Sequence, residues 1–133
     1  MRKVLLAAGM MILCHSSIAQ LLSGAEAAKF HSSAQLVRMD ERSGSPLFIS
    51  FENNSFIPAS SGMESFRSIL NATSNDSWQL IRNDVDEIGM NHHRFQQYYQ
   101  GVPVVSGEYI LHEKNGKIVS ANGMFYDGLT LSA

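Results

Sequence analysis

The stretch His92–Gly123, HHRFQQYYQGVPVVSGEYILHEKNGKIVSANG, decides the fold. It carries the densest strand signal in the chain and its clearest turn. Lys114-Asn115-Gly116-Lys117 reads as a two-residue hairpin loop, because Asn and Gly tolerate the positive φ that a type I′ turn needs at both central positions. That turn predicts Glu113 opposite Ile118, His112 opposite Val119 and Ile110 opposite Ala121. Upstream, the alternation of an extended segment puts His93, Phe95, Gln97 and Tyr99 on one face, and His92, Arg94, Gln96 and Tyr98 on the other. Gly101-Val102-Pro103 is expected to break the run, since Pro103 has no ladder donor and biases Val102 away from helix. Three antiparallel strands in a meander are the economical reading.

Outward from this stretch, Trp78–Val85 predicts a further strand, with Asp84–Met90 turning into the meander. Leu36–Met39 and Leu47–Phe51 predict two short strands around the turn-rich Asp40–Pro46, and Glu52–Ser60 reads as a loop. One helix follows. Ser61 and Glu64 have capping-box spacing, and Met63, Phe66, Ile69 and Leu70 form one apolar stripe at helical spacing, which reads as core. Asn71–Ser77 ends it. The fold class is therefore α+β, an antiparallel sheet of about four to six strands packed by one amphipathic helix.

The first 19 residues read as an export signal. Arg2 and Lys3 precede the apolar run Val4–Leu13, and Ser17-Ile18-Ala19 offers small residues for cleavage before Gln20, with Ala27 as a second option. The run is shorter than the about 20 residues a membrane span needs. Cys14 raises a lipoprotein anchor, but Leu13 stands where such signals want a small residue, so no stable membrane anchor is expected after cleavage. The chain's only cysteine would leave with the leader, and with it any thiol chemistry. Loss of Arg2 and Lys3 takes the basic count from 10 to 8 against 12 acids, a formal charge of −4. No basic face with interleaved aromatics accompanies it, so nucleic acid is not an expected partner. Residues 20–35 read as a linker and mature N-terminus, 36–126 as the domain, and 127–133 as a tail.

The tempting catalytic pattern is His112-Glu113-Lys114-Asn115-Gly116. A zincin needs His-Glu-x-x-His on a helix, so that two imidazoles one turn apart share a metal and Glu activates water. Here the fifth position is Gly116 and the context is a strand. His92 and His93 point to opposite faces of their strand and cannot jointly hold a metal. Asp84, Asp86 and Glu87 lie in a turn and read as a solvated cluster, short of the spaced oxygen ligands calcium requires. No nucleophile elbow or phosphate loop occurs. Neither catalytic, cofactor-binding nor metal residues are therefore assigned. Asn53, Asn71 and Asn75 head Asn-x-Ser/Thr triplets, which matter only if the source glycosylates exported proteins.

RFQQYYQGVPV, GEYILH and NGKIVSANG together resemble the FTP domain, the fungalysin/thermolysin propeptide module that precedes secreted zinc metallopeptidases. The likeness is firm from Leu80 to Gly123 and weaker back to about Val37. It implies a cystatin-like arrangement, with a helix across a curved sheet. It also implies export to the periplasm or the medium and a thermolysin-like peptidase domain as partner, in cis or in trans, which the module helps to fold and holds inactive. The zinc belongs to that implied domain. The family's second pro-module and His-Glu-x-x-His domain have no counterpart after Gly123, so the partner is expected outside this chain and the action is binding, not catalysis. A free-standing exported binding module or protease inhibitor is the alternative. The expected contact surface is Arg94, Gln96, Tyr98, Gly101, Val102 and Pro103, since Tyr and Arg often dominate binding energy when desolvated and Pro103 stiffens its loop.

Overall fold

The computed structural model describes residues 19–132; the expected export signal up to residue 18, with Arg2, Lys3 and Cys14, lies outside them. Seven strands form one antiparallel sheet: β1 (Gln20–Ser23), β2 (Ala34–Met39), β3 (Pro46–Phe51), β4 (Asp76–Val85), β5 (Asn91–Tyr99), β6 (Val102–Lys114) and β7 (Lys117–Gly123). Their order across the sheet is β1-β2-β3-β7-β6-β5-β4. Two meanders, β1 to β3 and β4 to β7, thus meet where β3 pairs with β7, Ile49 facing Ala121. The fold is α+β, dominated by the sheet.

Alternation along each strand sends one set of side chains under the covering segment and the other to the open face. Val37, Ile49, Tyr109, Leu111, Ile118 and Ala121 form the covered set, all buried. Met63, Phe66, Ile69 and Leu70 press on them from above, as the stripe predicts, and Phe66 meets the rings of Phe51 at 6.0 Å and Tyr109 at 6.3 Å. Burying one such side chain stabilises the fold by about 1.5–3 kcal/mol.

The covering element differs from the expected amphipathic helix. Ala59–Phe66 is 3-10 helix, interrupted at Gly62 by φ 51 and ψ −140, and turns continue through Leu70. A 3-10 turn is tighter than an α-helical one, and runs of it are short. The expected capping box is not made: Glu64 instead binds the Arg67 guanidinium, 2.6 Å away. Arg67 also donates to the carbonyls of Thr73 and Asp76, which fastens the segment to the start of β4. Residues 20–35, expected as a linker, form β1 and the short helix α1 (Gly24–Ala28), and Ala27 is wholly buried.

The β6–β7 turn sits at Asn115-Gly116, with φ of 52 and 80 and Lys114 opposite Lys117. Glu113 faces Ile118, but the next expected pairs are displaced: His112 faces Ser120 and Ile110 faces Asn122. Val119 is the extra residue of a bulge. Without it, Ser120 would enter the core opposite Leu111; with it, Ala121 takes that place, because a one-residue slip moves every side chain to the other face. The hairpin tip also docks on the covering segment, through Ala59 N–H to Gly116 O at 3.0 Å. Gly116→Val is expected to lower the melting temperature by roughly 5 °C or more, because a β-branched residue at positive φ costs about 1–2 kcal/mol. An unchanged melting curve would place the strain elsewhere.

Candidate functional site

The open face of the β4–β5–β6–β7 meander carries the polar residues that the sequence singles out. Cross-strand pairing places Arg82, Arg94 and Ile110 in one row and Asp84, His92, His112 and Ser120 in the next. Arg82 binds Asp84 at 2.6 Å, and Arg94 donates to Glu108 at 2.8 Å. Both pairs are largely solvated, so each contributes at most about 1 kcal/mol. His92 reaches Asp86 on one side and His112 on the other, and His112 in turn reaches Asn122. His93 turns to the opposite face, between Asn83 at 2.6 Å and Glu113 at 2.5 Å. The strand thus separates His92 from His93, and His112 from Glu113. Among the described residues no three His, Cys, Asp or Glu side chains converge as metal ligands.

Asp86 shapes the turn that carries this row. Its carboxylate accepts from the N–H groups of Ile88 and Met90. These contacts, with the N–H of Met90 first and His92 next, hold its carboxyl below the usual carboxylate range. Asn53, Asn71 and Asn75 are all exposed.

The six expected contact residues separate into two roles. Gln96 is not free for a partner: its side-chain amide donates to the carbonyls of Gln97, Val104 and Gly107 at 3.0, 2.8 and 3.2 Å. The chain turns at Gln100-Gly101, with φ of 48 and 77, not at Val102-Pro103, which begin β6 opposite Tyr99 and Tyr98. Pro103 is tolerated there because the ladder is broken beside it. Pairing resumes only at Glu108 opposite Gln96, so Val104–Gly107 leaves the ladder and lifts Val105 to 89% exposure. Arg94, Tyr98, Val102 and Pro103 remain presented, with Val105 an addition that the sequence reading missed.

Gln97 was missed as well, and it fixes this end of the sheet from the covered side. It is 1% exposed. Its amide NH₂ donates to Asp76 Oδ1 at 3.2 Å and to Tyr126 O at 2.8 Å, while its Oε1 accepts Tyr126 N–H at 3.0 Å. Two adjacent glutamines therefore bind backbone on opposite faces. The signal was available: a polar pair inside an aromatic strand must send one member into the core, and a buried amide needs partners. Tyr109 follows the same rule, donating its hydroxyl to Pro46 O at 2.9 Å, and burial pushes its phenol well above the ordinary value.

Residues 76–125 match the family model described as the Fungalysin/Thermolysin Propeptide Motif. A zinc metalloproteinase of Legionella pneumophila is 42% identical over 64 residues, which cover 42% of this chain and 12% of the relative's length. The match begins at Asp76 and ends at Phe125, so it takes in both glutamines, the excursion that Gln96 holds and the buried end of the meander.

Proposed function

We propose, from the premise that residues 76–125 carry the fungalysin/thermolysin propeptide motif, that this chain acts as the pro-region of an exported zinc metallopeptidase. It assists folding of the peptidase domain and restrains it until removed. The action is binding. Whatever binds only the native-like form of a partner stabilises that form by mass action, and tethering within one chain raises the local concentration to about millimolar. The observation that carries the reading is the held, exposed end of the β5–β6 hairpin. Val102, Pro103 and Val105 stand in solvent by Tyr98, with Arg94 four residues back along β5, and Gln96 pins the backbone of Val104 and Gly107. A prepositioned apolar tip loses little conformational entropy on docking. A cystatin-like arrangement of sheet and covering segment, and export, belong to the same proposal. No helix among the described residues is long and apolar enough to cross a membrane.

The test is inhibition of a thermolysin-type peptidase domain by the purified chain. Inhibition at micromolar concentration is expected, without rapid cleavage of the chain. Val105→Asp and Tyr98→Ala, each folded by circular dichroism, are expected to weaken it about tenfold or more, the loss of one well-buried contact of about 1.4 kcal/mol. Absence of binding by the parent chain at tens of micromolar would overturn the inhibitor reading. Undiminished inhibition by both variants would move the contact away from this tip.

A further inference from the structure

His92 Nδ1 and His112 Nδ1 lie 2.6 Å apart on the open face, with the rings nearly perpendicular. The outer nitrogens are already assigned by their partners. Asp86 offers His92 Nε2 a carboxylate oxygen at 3.0 Å, and an ionised carboxylate can only accept, so this nitrogen carries hydrogen. Asn122 presents its carbonyl oxygen to His112 Nε2, so that nitrogen carries hydrogen too. Two neutral imidazoles in these tautomers would point lone pairs at each other. A metal ion cannot fill the gap as it stands, because two nitrogens each about 2.0–2.1 Å from tetrahedral zinc are separated by more than 3 Å. A single proton fits, since a charged N–H···N contact is short.

We infer that His92 and His112 share one proton at neutral pH and fasten β5 to β6 and β7, and that a second proton releases them, making the open face an acid-sensitive element of the pro-region. The link to partner binding rests on the function proposed above; the shared proton does not. A second proton would place two imidazolium ions at the same contact, where like charges in a partly desolvated site repel. The charged groups around the pair are Asp84 and Arg82 from β4, Arg94 from β5, Glu108 from β6 and Asp86 from the turn; β7 contributes only Ser120 and Asn122. Arg82 and Arg94 are matched by Asp84 and Glu108, leaving Asp86 as the counter-charge for one proton, not two.

Burial holds His112 below the ordinary histidine value of 6.5; the Asn122 contact opposes that, the charge of His92 adds to it, and Asp86 opposes it. A base whose folded value is depressed takes up its proton more readily when unfolded. His112 therefore contributes a stabilisation that is present above 6.5 and lost as pH falls below it toward the folded value, whereas the contribution of the shared proton is lost as pH rises and that proton leaves. In the acid window the unfolding constant rises up to about tenfold per pH unit. Arg94 lies two residues from His92 on the same face, so release reaches the proposed contact surface.

The experiment is ¹⁵N-histidine NMR of the full exported chain from pH 8 to 4, with melting temperatures across the same range. Two coupled steps are expected for the pair, since sites in direct contact titrate together. His92→Asn is expected to remove the splitting and to shrink the acid limb of the melting curve, burial of His112 leaving part of it. Independent titration of both rings near 6.5, or a neutral pair with the proton on one Nδ1 throughout, would overturn the inference. If His92→Asn does not fold, the parent's spectra alone decide it. Split titration with loss of peptidase binding on acidification supports the switch. Split titration in a chain that binds no peptidase at any pH overturns the proposed function while leaving the proton pair intact.

Discussion

Replacing Gln97 with Leu is expected to destabilise the domain by about 3 kcal/mol or more, from buried groups that lose their partner at about 1–3 kcal/mol each. Leu is of similar volume though branched one carbon earlier, so most of the effect is polar. Three bonds vanish together: two from the amide NH₂, to Asp76 and Tyr126 O, and one that the amide oxygen accepts from Tyr126 N–H. Asp76 retains the N–H and hydroxyl of Thr73 at 2.9 and 3.1 Å, so its carboxylate is not orphaned. The larger loss falls on Tyr126, whose backbone follows Phe125 out of the core. A drop in melting temperature of roughly 12 °C or more is the corresponding measurement. Gln96→Leu is the control. Its partners lie toward the open face, where water can replace them, so its penalty is expected to be smaller, with the conformation of Val104–Gly107 lost instead. Equal, small effects from both substitutions would show that the pair is incidental to the fold.

The contrast between the two glutamines also marks what sequence could and could not say. Alternation from His92 to Tyr99 places each residue on the correct face, because a pleated strand has a fixed period of two. The buried stripe Met63, Phe66, Ile69 and Leu70 was legible for a similar reason, although its backbone is 3-10 and turn, not α-helix. Spacing reports which side chains face the core more surely than it reports the hydrogen bonds between them, and Gly62 together with the Glu64–Arg67 contact favours the tighter winding. Register beyond the Asn115-Gly116 turn was not legible. The bulge at Val119 exists to bring Ala121 beneath the covering segment, a requirement set by β3, far away in sequence. The strand β1 was hidden for the opposite reason: Gln20–Ser23 has little strand character of its own and is held by pairing with β2. At the candidate site, Arg94 and Tyr98 were legible as residue types suited to contacts. Val105 was not, since its exposure follows from the excursion that Gln96 holds. The His92–His112 contact needed the register that the Val104–Gly107 excursion gives β5 beside β6.

Gly123→Ala is expected to be as damaging as the loss of Gln97, by a steric route. Gly123 has φ 145, and a Cβ there would lie 2.2 Å from the carbonyl oxygen of Glu108 and 2.7 Å from Tyr109 Cα. Both are backbone atoms of β6, so no rotamer change relieves the overlap. Either β7 separates from β6 at its end or Gly123 leaves its conformation, at a cost of about 3 kcal/mol or more when overpacking adds to strain. The adjacent bond from Met124 N–H to Glu108 O, 2.8 Å, is lost in either case. Phe125 and Tyr126 follow immediately, and Tyr126 is the residue Gln97 binds. The two substitutions therefore act on one short segment, and their effects are expected to be less than additive by about 1 kcal/mol or more, as contacting sites usually are. Denaturant midpoints of the parent, both single variants and the double variant measure this directly. Strict additivity would mean that the glycine and the glutamine stabilise separate parts of the domain. Coupling would show that the meander is closed at this end by two residues acting together, one glycine that lets β7 approach β6 and one glutamine that receives the chain beyond it.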